Sequence, residues 1–192
     1  MEDPIQRFAE LFRQAGQAIP VNPNAMVLST VGTGGRPSSR VVLLKSFDER
    51  GFSFYCNLKS RKGQELEANP QAALCFHWEP LEKQVRVEGR VERVSDEEAD
   101  EYFATRPRES QVGAWASQQS ERLSSRQELE ARVAEVAARY AGVPVPRPPH
   151  WSGLRVVPDR MEFWTSRPGR LHERDLYLRT GGGAWTRELL SP

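Results

Sequence analysis

The chain has 192 residues, with 27 basic and 26 acidic side chains and a formal net charge of +1. That length fits one domain able to bury about two-thirds of its unfolded surface. The near-zero charge argues against a dedicated nucleic-acid binder, no run reaches the ~20 apolar residues of a membrane span, and no leader pattern opens the chain, so a soluble cytoplasmic protein is expected.

"DPIQRFAELFRQAG" predicts a helix over 3–16, with Asp3 as N-cap, Pro4 at the first helical position and a stripe at Ile5, Phe8, Leu11, Phe12 and Ala15. The period then changes to that of strands. "AMVLSTV", "SRVVLLKSF", "GFSFYCNL", "QAALCFHW" and "KQVRVEGRVERV" predict barrel strands within 26–94, separated by turns such as "GTGGRP" and "DERG". Two capping boxes, Ser95 with Glu98 and Ser125 with Glu128, open helices within 95–141, with Gly142 as the closing residue. "VPVPRPPHW" reads as a stiff linker over 143–149. Strand-like runs "GLRVVPDRMEFW", "RLHERDLYLR" and "AWTRELL" fill 153–190. The expectation is a single mainly β domain with flanking helices (α+β), a barrel of about eight strands. Cys56 and Cys75, inside apolar runs, read as buried reduced thiols, and no spacing suggests a metal site.

Three groups of residues invite an anion. Arg61 and Lys62 follow Ser60 at the start of a short helix, where free N–H groups and the dipole already favour negative charge, so two cations there imply a phosphate. Tyr102, Arg106 and Ser110 stand at i, i+4 and i+8, one face if helical turns continue past Pro107. Arg170, His172 and Arg174 cluster near the C-terminus, an arrangement that makes sense around a multivalent anion. Arg40 and Lys45 bracket an apolar run, and strict alternation points them to opposite faces unless the strand bulges. His77, beside Trp78, reads as packing, and His150 is given no role.

Together the stretches "RVVLLK", "FYCNLKSRK", "RPRESQVGAW", "SQQSE", "EFW", "RLHER" and "LLSP" resemble the pyridoxine/pyridoxamine 5'-phosphate oxidase family, in family order and over nearly the whole chain. The resemblance implies an FMN-binding split β-barrel that forms a homodimer with flavin in clefts between subunits. It implies oxidation of pyridoxine or pyridoxamine 5'-phosphate to pyridoxal 5'-phosphate, with dioxygen reduced to peroxide and ammonia released from the amine. By resemblance, the FMN contacts are Arg40, Val41, Val42, Leu43, Leu44, Lys45, Tyr55, Cys56, Arg61, Lys62, Gln84, Gln119, Ser120, Trp164 and Arg174. Lys45, Tyr102, Arg106 and Ser110 resemble the cradle for the substrate phosphate, and Arg170 and His172 the catalytic pair that holds the substrate ring over the flavin.

There are departures. Asn22 stands where relatives often carry an aspartate proposed to move a proton, and Glu173 replaces the aspartate common in "RLHDR". Most family members carry an extension before the "DP", part of which closes over substrate, and this sequence starts two residues before Asp3. Two rival readings remain: a related flavin oxidase of another aromatic substrate such as a phenazine precursor, whose members tend to lose the Lys45, Arg106 and Ser110 set, and a non-catalytic flavin or pyridoxal-phosphate carrier. Neither a nucleic acid nor a membrane is expected as a partner.

Overall fold

In the computed structural model, which describes residues 3–192, the Asp3 carboxylate accepts from the backbone N–H of Ile5 at 2.7 Å and starts α1 (Pro4–Ala18). The helix passes Gly16, where nothing crowds the backbone, and closes with Ile19 N–H donating to the Ala15 carbonyl before Pro20 blocks another turn. Its fully buried Phe8 meets Phe47, Phe52 and Phe76 edge-on, with ring centroids 4.8–5.0 Å apart. That aromatic contact seats α1 on the inner face of the sheet.

The strands are β1 (Ala25–Val31), β2 (Pro37–Leu43), β3 (Ser46–Asp48), β4 (Gly51–Asn57), β5 (Gln71–Trp78), β6 (Lys83–Arg93), β7 (Trp151–Thr165), β8 (Glu173–Arg179) and β9 (Trp185–Leu189). All pairings are antiparallel, in the order β2-β1-β5-β6-β7-β4-β3, with β8 and β9 leaving from β7. The long β7 explains the branching. One edge runs along β6, whereas the other pairs with β4 over residues 151–156 and with β8 over 160–165. Pro158 falls between these two pairings, opposite a register shift at Glu88/Gly89. Gly89 is required there, because a Cβ would sit 2.0 Å from the Val157 carbonyl oxygen. The result is a curled, split half-barrel with helices around it.

The helices are α2 (Arg61–Ala68), α3 (Asp96–Thr105), α4 (Arg108–Ala116) and α5 (Arg126–Arg139). A second small core joins the last three to the sheet through Phe103, Val112, Ala116, Val136, Val145 and Trp151.

Several expectations are corrected. The described residues hold nine strands rather than eight. "SRVVLLKSF" is not one strand: it breaks at Leu44 and Lys45, whose N–H groups donate to Asn24 and Ser53 carbonyls and leave the β2 ladder. Tyr102, Arg106 and Ser110 do not share a helix, since α3 ends at Thr105 and α4 begins after Pro107. The "RLHERDLYLR" strand starts only at Glu173, which leaves Arg170 and His172 on a loop where Gly169 and Arg170 both have positive φ. The Pro-rich segment is irregular, as expected, but packed: Val145 is buried, and Arg147 binds Asp96 and Asp100. Cys56 is buried, Cys75 only half so, and His77 is exposed.

Candidate functional site

A cleft of about 860 Å³ opens between β2, β4, the start of α2 and the α3–α4 corner. Arg40, Val41, Val42, Leu43, Lys45, Tyr55, Cys56, Arg61, Lys62, Arg106, Ser110, Gln119 and Ser120 all line it. Leu44 does not: it is 3% exposed and belongs to the core. Tyr102 reaches the site indirectly, stacked on Tyr55 at 4.1 Å between centroids.

At one end lies the helix start. Ser60 caps α2 by accepting from Gly63 N–H, and Gly63 must lack a side chain because a Cβ would lie 2.1 Å from the Leu58 carbonyl oxygen. Around this turn the Arg61 N–H donates to Ser120 Oγ at 3.2 Å, and Lys62 Nζ donates to Ser60 Oγ at 3.0 Å and Gln119 Oε1 at 3.2 Å. Ser120 holds φ +74°, a strained conformation for a residue with a side chain. Burial pulls the Lys62 ammonium below its ordinary value, a penalty that nearby Cys56 reduces and Arg40 increases. Burial likewise pushes the Cys56 thiol up to about 11, against the pull of Lys62 and Arg40.

Not every cation here is free. Arg40 and Arg61 both bind Glu65, at 3.2 and 2.8 Å. Burial pushes the Glu65 carboxyl up, but hydrogen bonds from Ser38, Thr30, Arg61 and Arg40 outweigh it and bring the group down to about 2. Lys62, Lys45 and Arg106 have no carboxylate partner among the described residues. Arg106 is the extreme case: its Nη1 is buried without a hydrogen-bond partner, and burial lowers its pKa, with only the Tyr102 phenol opposing it. Its guanidinium instead lies 4.7 Å from the centre of the Trp151 ring. The break at Pro107, rather than a continuous helix, turns Arg106 and Ser110 into the same cleft.

The remaining residues singled out in the sequence form a second group elsewhere. Gln84, Trp164 and Arg174 are cross-strand neighbours on β6, β7 and β8. His172 packs on Trp164 with ring centroids 4.6 Å apart, and its Nδ1 accepts from the Arg167 N–H at 3.2 Å. Arg167 also clasps Glu173 through two bonds of 2.9 and 3.0 Å, which closes the loop that carries exposed Arg170. Arg174 is neutralised rather than free: it binds the buried Glu162 through Nε at 2.8 Å and Nη2 at 3.1 Å. The three residues of the C-terminal cluster therefore do not converge on one anion in this protomer.

Tyr55 in the first group pairs with Gly153, and Trp164 in the second lies eleven residues further along β7, roughly 35 Å at the rise of an extended strand. The two groups thus lie toward opposite ends of β7. The first group alone fits the phosphate half of the flavin mononucleotide that the resemblance implies: helix N–H groups, a Lys62 with no carboxylate partner, and the flank of β2. The sequence reading missed Trp151, which lines the cleft. Its place after a Pro-rich run hid it, although it begins the longest strand.

Comparison with known proteins identifies the family. Residues 12–140 match the family model described as pyridoxamine 5'-phosphate oxidase, and residues 151–192 match that for the pyridoxine 5'-phosphate oxidase C-terminal dimerisation region. A pyridoxine/pyridoxamine 5'-phosphate oxidase of Myxococcus xanthus is 68% identical over 190 residues, covering 99% of this chain and 92% of its own. One from Rubrobacter xylanophilus is 59% identical, covering 99% and 87%. Among solved structures, PhzG from Burkholderia lata, in complex with tetrahydrophenazine-1-carboxylic acid, superposes with a TM-score of 0.93 at 34% identity, covering 100% of this chain and 94% of its own. The second group lies wholly in the dimerisation region apart from Gln84. With both regions matched and relatives 59–68% identical over nearly the whole chain, this chain belongs to the pyridoxine/pyridoxamine 5'-phosphate oxidase family.

Proposed function

We propose that this chain is an FMN-dependent oxidase that converts pyridoxine 5'-phosphate or pyridoxamine 5'-phosphate to pyridoxal 5'-phosphate. Dioxygen is the final acceptor and becomes hydrogen peroxide, and the amine substrate also releases ammonia. The observation that carries this reading is the pair of un-neutralised cationic seats in one cleft: Lys62 with the first turn of α2, and Arg106 with Lys45 and Ser110. Two seats suit a cofactor and a substrate that are both phosphate monoesters.

FMN, when bound, supplies the acceptor for the hydride that leaves the substrate C4' carbon. Everything else falls to the protein. Lys62 and the α2 N–H groups fix the cofactor phosphate, while Arg106, Lys45 and Ser110 fix that of the substrate, so both reactants are held by their far ends and brought into register. Gln84, Trp164 and Arg174 complete the flavin site from the second subunit of a homodimer. Arg170 and His172 of that subunit hold the substrate ring. Because the His172 Nδ1 already accepts from Arg167, the ring proton sits on Nε2, where it can be donated to a substituent of that ring.

The test is an anaerobic titration of the FMN-loaded protein with pyridoxine 5'-phosphate. Bleaching of the flavin absorbance, reversed by air with peroxide formed, is the expected result. A spectral shift without bleaching would mean binding without hydride transfer and would overturn the oxidase reading. The likeness to the PhzG structure supports a second reading, oxidation of a non-phosphorylated aromatic acid. It predicts bleaching by a dihydro-aromatic carboxylic acid and none by the phosphate ester.

A further inference from the structure

We propose that Trp151 is a positioning residue for the substrate phosphate: its ring face, continued by Tyr102, supports the cations of the cleft without neutralising them. This rests on the reading of Arg106 as a phosphate ligand. A buried guanidinium is ordinarily held by a carboxylate, as Arg155 is by Glu98. A carboxylate beside Arg106 would occupy its N–H donors and cancel the charge that an incoming phosphate needs. An aromatic face does neither, yet it still attracts the cation.

The geometry fits that purpose. The Arg106 guanidinium carbon lies 4.7 Å from the Trp151 ring centre and 5.5 Å from that of Phe103, while Lys45 Nζ lies 6.0 Å from that of Tyr102. Tyr55, Tyr102 and Trp151 are nearly parallel, with interplanar angles of 25°, 17° and 8° in the three pairings. Lys45 and Arg106 thus rest on members of one stack. Trp151 is also fixed from several sides. It is 6% exposed, pairs with Asn57 at the end of β4, and its carbonyl accepts from Arg147 Nη1 at 2.9 Å. The adjacent His150 bonds the Ala114 carbonyl through Nε2 at 3.0 Å and accepts from Leu58 N–H, which ties the tryptophan to α4 and to the loop before α2. A rigid ring under a guanidinium with an unused, buried N–H is a support waiting for an anion.

The experiment uses the FMN-loaded protein in three forms: wild type, Trp151→Phe and Trp151→Leu. Inorganic phosphate serves as a probe by calorimetry, alongside KM for pyridoxine 5'-phosphate and for unphosphorylated pyridoxine, and the thermal midpoint of each form. Trp151→Leu should weaken phosphate and raise KM for the phosphate ester about tenfold, while Trp151→Phe, which keeps a ring face, should lose only about two- to threefold. Preference for the ester over pyridoxine should fall in the same order. Unchanged phosphate affinity in Trp151→Leu would overturn the proposal, and so would equal losses for Phe and Leu that track the thermal midpoint. Absence of phosphate binding by the wild type would overturn it as well. If phosphate binds with the expected ranking but pyridoxine 5'-phosphate is not oxidised, the proposed reaction falls and the role of Trp151 stands.

Discussion

Lys62 and Arg106 are both cations without a carboxylate, and that common feature makes opposite demands on folding and on binding. Each is kept partly out of water, so each is a cost to the free protein that a ligand phosphate relieves. Replacing Lys62 by methionine removes a charge-assisted hydrogen bond and should weaken FMN roughly 10- to 100-fold, measured by quenching of flavin fluorescence. Arg106→Met keeps the bulk of the side chain and removes the orphaned Nη1. Its thermal midpoint should be no lower than that of the wild type, while its KM for the phosphorylated substrate rises. A fall in the midpoint would show that Arg106 is structural. Cys56 has a different status. With its thiol pushed up to about 11, only about one molecule in a thousand is thiolate at pH 8. Mass spectrometry after iodoacetamide treatment should find Cys56 unlabelled in the folded protein and labelled in urea. The resemblance places Cys56 among the cofactor contacts, so its backbone rather than its sulfur is the group to expect there.

Short elements set these residues in place, and α2 is the clearest case. Gly63 allows the Leu58 carbonyl to pass beneath its first turn, so Gly63→Ala must push that turn away at a cost of about 2 kcal/mol or more and lose FMN with it. Glu65, in the next turn, ties α2 to β1 and β2 through Thr30, Ser38 and Arg40. Its carboxyl is depressed in the folded state, so its contribution is present above about 4.5 and is lost as pH falls toward about 2. Glu65→Gln should therefore lower the thermal midpoint at neutral pH and flatten its decline across that window, which differential scanning calorimetry would read. Most of these elements were legible in the sequence. Strand alternation in β6, the Asp3, Ser95 and Ser125 caps and the helix stripes are local signals that short-range physics enforces. The failures were tertiary. Nothing local reveals that Leu44 turns inward to the core and ends β2, or that Arg170 is held in a left-handed bend by the Arg167–Glu173 clasp. Glu98 shows the same limit: its backbone meets Ser95 as a capping box requires, but its side chain is drawn away to Arg155.

At the scale of the molecule, the separation of the two residue groups along β7 has a consequence that neither group has alone. The residues expected at the site divide between the cleft and β6–β8, and sequence carries no record of which copy supplies which residue. If the proposed homodimer completes each site with β6–β8 of the other subunit, a Lys62→Met chain and an Arg174→Ala chain carry their defects at different ends of the site. In a mixed dimer, the Lys62→Met chain's cleft meets the Arg174→Ala chain's sheet, and that site has both defects. The other site joins an intact cleft to an intact sheet. Each parent homodimer is impaired at both sites. Unfolding and refolding an equimolar mixture with FMN should give about half mixed dimers, each with one working site, and so about a quarter of wild-type activity from two weakly active parents. Flavin content should rise in parallel. Activity equal to the mean of the parents would mean that one subunit holds its whole site, and the distance along β7 would then have to be closed within a single copy.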